Sequence, residues 1–97
     1  MNEKIDWIEI EKIYPIGSKI TGKVEYHAPF GIFIDIDYPV FKGLIQITDF
    51  LDEDIMSADM YPPVGSKIEA VVLAFTRDHR NQIWLSMKPS ILQGASK

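Results

Sequence analysis

Residues 17–36 read "GSKITGKVEYHAPFGIFIDI", two alternating stretches joined by a corner, and their reading decides the fold. In the first, Ile20, Val24 and Tyr26 fall on one side, Tyr26 as a rim or core aromatic, and Lys19, Thr21, Lys23 and Glu25 on the other. That period of two marks a half-buried β-strand. Gly22 takes an inward place where a side chain is expected, as happens where a small barrel bends sharply or two strands approach closely. After the corner, Ile32, Ile34 and Ile36 point inward and Phe33, Asp35 and Asp37 outward. Phe30 and Phe33 are an odd pair, because residues three apart lie on opposite faces of a regular strand. Gly31 between them is read as the point where the chain changes register, bringing both rings to one face.

Working outward, Asp37-Tyr38-Pro39 makes a turn and "VFKGLIQI" (40–47) a third strand. "TDFLDEDIMSADMYPP" (48–63) has no sustained period and reads as a short helical turn plus an acidic loop closed by Pro62 and Pro63. "VGSKIEAVVLAFT" (64–76) is a fourth strand, nearly continuous in apolar residues and therefore covered on both faces over part of its length. A polar turn, "RDHRN", leads to "QIWLSMK" (82–88), a fifth strand with Ile83 and Leu85 inward and Trp84 outward. Upstream, "IDWIEIEKIYP" (5–15) has the Asp6/Glu9 spacing of a capping box and apolar pairs Ile5/Ile8 and Ile10/Ile13, a short helix ended by Pro15. The alternation of Ile8 and Ile10 leaves a strand open there. "YPIGSKI" (14–20) and "PPVGSKI" (62–68) echo one another, the same turn chemistry launching two long strands. Five strands with one break after the third predict an all-β chain folded as a small closed or nearly closed barrel rather than a two-sheet sandwich. Its expected parts are an N-terminal helical extension at 1–15, the barrel domain at 16–88 and a frayed tail at 89–97.

Composition narrows the function. The 97 residues are 46% hydrophobic, enough for one core. They contain no cysteine, which removes disulfides, thiol nucleophiles and sulfur-liganded metals. The first fifteen residues carry Glu3, Asp6, Glu9 and Glu11, and no apolar run approaches the roughly 20 residues of a bilayer span. A cytoplasmic protein with neither signal peptide nor membrane segment is expected. The net charge of −4 argues at first against nucleic acid, but residues 49–59 hold five acidic residues and no basic ones. Nine acidic and ten basic residues remain elsewhere, which leaves room for a locally positive face. His27 and His79 have no zinc-ligand spacing, and the acidic stretch lacks a calcium loop's central glycine. Asp35 and Asp37 read as a solvated strand face rather than a catalytic pair. No enzyme, metal or cofactor is expected.

The segments "GSKITGKV", "FGIFIDI", "KGLIQITDF", "VGSKIEAVVLAF" and "DHRNQIWLSMK", in that order, resemble the RNA-binding domain named after ribosomal protein S1, a member of the OB-fold group. The resemblance covers about residues 16–88. It implies a five-stranded Greek-key OB-fold barrel whose RNA face is formed by strands two and three with the loops after strands one and four. Matched by position, the two stacking aromatics fall on Phe30 and Phe33 and the acidic residue of the last loop on Asp78. Gln46 and Gln82 stand where the family often has a histidine and an arginine. Both keep hydrogen-bonding capacity but lose attraction for phosphate. Arg80, with Arg77 and His79 in the same loop, Lys19, Lys23 and Lys42 on outward positions, and His27 at the corner, are the candidates to replace it. The implied function is weak, sequence-tolerant binding of single-stranded RNA, with single-stranded DNA a second candidate, by base stacking. The implied affinity is roughly millimolar to micromolar. A ribosomal or RNA-processing protein partner is also implied, and no membrane. The rival reading is a protein-interaction module docking a partner on the same face. Trp84 either extends the stacking surface or packs with Trp7 on the outer wall.

Overall fold

The computed structural model describes residues 7–37, 41–53, 57–76 and 82–94. Five strands, β1 Lys19–Ala28, β2 Gly31–Asp35, β3 Lys42–Gln46, β4 Lys67–Thr76 and β5 Gln82–Ser86, close into a barrel in the order β1-β2-β3-β5-β4. β5 lies parallel to β3 and antiparallel to β4, and β4 returns to β1. This is the expected all-β barrel. The short helix α1, Trp7–Ile13, precedes it, and two 3-10 turns, Ile47–Asp49 and Ala58–Met60, lie between β3 and β4. Asp6 of the predicted capping box and Tyr38 of the predicted turn lie outside the described residues.

The inward register follows the alternation. Ile32, Ile34, Ile45, Ile83 and Leu85 are almost wholly buried, and Ile10 of α1 joins the same core. Beyond α1, the Tyr14 hydroxyl donates to the Ile36 carbonyl (3.3 Å), fixing the helix to the far end of β2. At the near end of β2, Phe50 and Tyr61 pack with ring centres 5.6 Å apart, and the Tyr61 hydroxyl donates to the Pro29 carbonyl (3.4 Å). Burial raises the Tyr61 phenol's pKa, so it remains a donor. Ile34 Cγ2 occupies the space that a side chain at Gly22 would need, which explains the inward glycine.

The repeated Gly-Ser-Lys turns form a local two-fold. The Gly17 N–H donates to the Val72 carbonyl and the Gly65 N–H to the Val24 carbonyl, both at 2.8 Å. Val72 and Val24 donate in return to the Ser18 and Ser66 carbonyls, both at 2.9 Å. Each turn thus clamps the strand launched by the other. Both glycines sit at φ near +92°, where a β-carbon is strained.

Two expectations are corrected. Tyr26 is 56% exposed rather than inward. The β1–β2 register runs Val24↔Ile34 and then Tyr26↔Phe33, so Glu25 is the extra residue of a β-bulge and the strand's faces exchange after it. The register change foreseen at Gly31 therefore lies in β1, and β2 pairs without interruption. Within the segment expected as a tail, Pro89–Gln93 form a second helix, α2. The Ser90 hydroxyl donates to Asp52 Oδ1 at 2.7 Å, tying α2 to the acidic stretch.

Buried Ser86 is satisfied by the Asp49 carbonyl and the Lys88 N–H. The Asp49 carboxyl is less well placed. Burial raises its pKa, and the Lys88 ammonium offsets that only in part. The folded chain therefore holds this proton more tightly than the unfolded chain, and stability falls as pH rises from the ordinary aspartate range through the raised value. Asp49→Asn is expected to raise the melting temperature near neutrality, with the gain shrinking in mild acid. Melting curves for both proteins across that range check this, and a gain that grows on acidification would contradict it.

Candidate nucleic-acid interface

The outer face of the barrel carries an apolar row across four strands. In register these are Tyr26↔Phe33, Phe33↔Leu44 and Leu44↔Trp84. Cross-strand partners share a face, and Phe33 and Trp84 are half-buried while Leu44 is closed off. Phe30 precedes β2 in the corner and is 54% exposed. Its ring meets Phe33 edge-on, centres 6.0 Å apart at 87°. The two phenylalanines do share one side of the molecule.

Gly31 explains how the corner is held. It pairs with Ala28 on β1 and Gln46 on β3, and the Ile47 N–H donates to the Phe30 carbonyl at 2.8 Å. A β-carbon at Gly31 would overlap the Ile45 carbonyl oxygen and lie 2.9 Å from Gln46 Cα. Close backbone contact between β2 and β3 is therefore what sets Phe30 beside Phe33.

The polar candidates separate into groups. Gln46 is exposed at the end of β3, beside the phenylalanine corner. Gln82 opens β5 opposite Lys42, and its Oε1 is buried with no hydrogen-bond partner among the described residues. Lys42 reaches back to Glu25, with Nζ 2.7 Å from both carboxylate oxygens. Its charge is thus already partnered. Lys23 is exposed, between Asp35 on β2 and Lys67 on β4 in register, and Lys19 lies 4.0 Å from Glu69. His27 turns away from the phenylalanines, with Nε2 2.7 Å from the Pro62 carbonyl and its ring edge-on to Tyr61. Asp78, Arg80, Arg77 and His79 lie outside the described residues. The sequence reading missed Tyr26 as a surface aromatic and Glu25 as the partner of Lys42. The available signal was the polar run Glu25-Tyr26-His27, which breaks the alternation.

Among the described residues, no group of three or more His, Cys, Asp or Glu is placed to hold a metal ion, and no helix is long and apolar enough to cross a membrane.

Comparison with known proteins agrees with this architecture. The chain is 30% identical over 88 residues to the small ribosomal subunit protein bS1 of Chlamydia trachomatis, spanning 91% of this chain and 15% of that protein. It is 32% identical over 82 residues to a 4-hydroxy-3-methylbut-2-enyl diphosphate reductase of Clostridium acetobutylicum, spanning 84% of this chain and 12% of that enzyme. The similarity in both cases is to a small part of a much longer protein. Among solved structures, GSP13 from Bacillus subtilis superposes with a TM-score of 0.68 at 26% identity, over 87% of this chain and 62% of that one. A model of the S1 RNA-binding domain matches residues 13–88, which takes in all five strands, the bulge and the phenylalanine corner, and the chain belongs to that family.

Proposed function

We propose that this domain binds single-stranded RNA weakly and with little sequence preference, by stacking bases on Phe30 and Phe33. The observation that carries the reading is the edge-to-face pair of exposed Phe30 and half-buried Phe33 on a barrel whose family is RNA-binding. Each stacked base contributes about 1–3 kcal/mol whatever its identity, since every base has a flat π-face. Gln46 borders the pair and supplies amide donors and an acceptor for base or sugar edges. Among the described residues the Gln82 Oε1 has no hydrogen-bond partner. Turning its amide toward a base amino group or a 2′-hydroxyl satisfies it on binding. Arg80 and Lys23 are the cations assigned to phosphate, and Asp78 is the acidic residue assigned to the same site. The setting we infer is cytoplasmic, alongside ribosomal or RNA-processing proteins.

A titration of labelled single-stranded RNA at two salt concentrations tests the reading, because a phosphate-contacting binder weakens as salt rises. Glu25→Gln is the informative variant. It frees Lys42, so the salt dependence is expected to steepen by about one phosphate contact and the low-salt affinity to rise. Absence of binding at low salt would reject the RNA reading and favour docking of a protein on the same face.

A further inference from the structure

Tyr26 belongs, by strict alternation, to the barrel interior. Val24, two residues earlier, is 1% exposed, whereas Tyr26 is 56% exposed. The extra residue, Glu25, accounts for the difference. The bulge is also anchored from outside, since the Glu25 carboxylate grips Lys42 on β3 through both oxygens. A bulge that turns a large aromatic ring toward water, on the wall that already displays two phenylalanines, is a device for re-aiming a side chain.

The ring is also well placed. Its centre lies 5.2 Å from that of Phe33 with the planes tilted by 36°. Phe33 therefore contacts both Phe30 and Tyr26. Among the described residues the Tyr26 hydroxyl has no hydrogen-bond partner. From the geometry we propose that Tyr26 is a third stacking platform, and that the nucleic-acid site runs from the corner across β2 onto β1. This proposal rests on the RNA-binding reading and extends its footprint beyond Phe30 and Phe33.

The ring spacings of 5.2 and 6.0 Å exceed the roughly 3.4 Å rise of a strand with stacked bases. Neighbouring bases are then splayed, each on its own side chain, as in recognition of unstacked single strands. A strand crossing from Phe33 to Tyr26 reaches β1 beside Glu25, whose carboxylate holds Lys42 of β3. The tyrosine hydroxyl adds a hydrogen bond that phenylalanine cannot, available to a phosphate or sugar oxygen. The site is thus about one nucleotide longer than the phenylalanine pair alone provides.

Single-stranded oligonucleotides of uniform sequence and increasing length test this on the whole chain. The wild type is expected to gain affinity when the oligonucleotide grows long enough to reach Tyr26. Tyr26→Ala is expected to lose about tenfold or more on long oligonucleotides and little on the shortest that bind. Tyr26→Phe should keep most of the affinity, losing only the hydroxyl contribution. Tyr26→Leu separates stacking from packing, because leucine covers Phe33 without offering a π-face. Its affinity is expected to match that of the alanine variant while its melting temperature stays near wild type. If Tyr26→Ala binds every length as the wild type does while changes at Phe30 and Phe33 still weaken binding, this inference is overturned and the RNA reading survives. The inference also falls if leucine restores affinity. If the wild type binds no oligonucleotide, both fall together.

Discussion

Gly31→Ala is expected to destabilise the domain by at least about 3 kcal/mol, the upper range for forcing atoms into a packed site. The new β-carbon would meet the Ile45 carbonyl oxygen and Gln46 Cα, and both belong to the backbone of β3. A flexible side chain swings aside at small cost, but a paired backbone moves only if β2 and β3 separate. Against a total stability of roughly 5–15 kcal/mol, and with about 4–8 °C lost per kcal/mol in a domain of this size, the melting temperature should fall by more than about 10 °C. Gly94→Ala is the control, since its β-carbon would meet only Ser90 O at 3.7 Å, an ordinary contact. Thermal denaturation followed by circular dichroism checks both variants. A Gly31→Ala domain within about 1 kcal/mol of wild type would show that the β2–β3 approach is not tight.

Much of the barrel was legible because period-two alternation states which residues share a face. Ile32, Ile34 and Ile36 could be assigned to the core without structure, as could Ile83 and Leu85. The alternation fails at Glu25, where a single inserted residue exchanges the faces of everything after it, and Tyr26 was misplaced for that reason. A bulge has no residue signature of its own when the inserted residue is not glycine. It shows only as a lapse in the pattern, which here is the exposed run Glu25-Tyr26-His27. The helix at Pro89–Gln93 escaped notice for a different reason. Proline at its first position and Gly94 after its last are start and stop signals, and the brevity of the segment hid them. The echo of Gly-Ser-Lys turns was visible as turn chemistry, but their reciprocal clamp depends on β1 and β4 being neighbours. The Glu25–Lys42 pair is likewise tertiary, joining β1 to β3 across β2. Phe30 and Phe33 became candidates through the family resemblance, and the structure supplies a reason for their common side in the close approach at Gly31.

Replacing Phe30 and Phe33 together by alanine is expected to reduce RNA affinity by about 30-fold or more, from the loss of two stacks at about 1–3 kcal/mol each. Phe30 is exposed and its removal should leave the melting temperature nearly unchanged. Phe33 is half-buried and in contact with both Phe30 and Tyr26, so Phe33→Ala should also cost some stability, and binding is best compared well below the melting transition. The single variants carry a further test. Because the two rings touch, each holds the other's orientation, and contacting residues do not act independently. Removing either should therefore take away part of the other's contribution, so the double variant should lose less than the sum of the singles by at least about 0.5 kcal/mol. Additive losses would mean that each ring binds its base without help from the other. A double variant that binds within about twofold of wild type would remove the pair from the site altogether, leaving Tyr26 as the exposed aromatic of that face still able to stack a base.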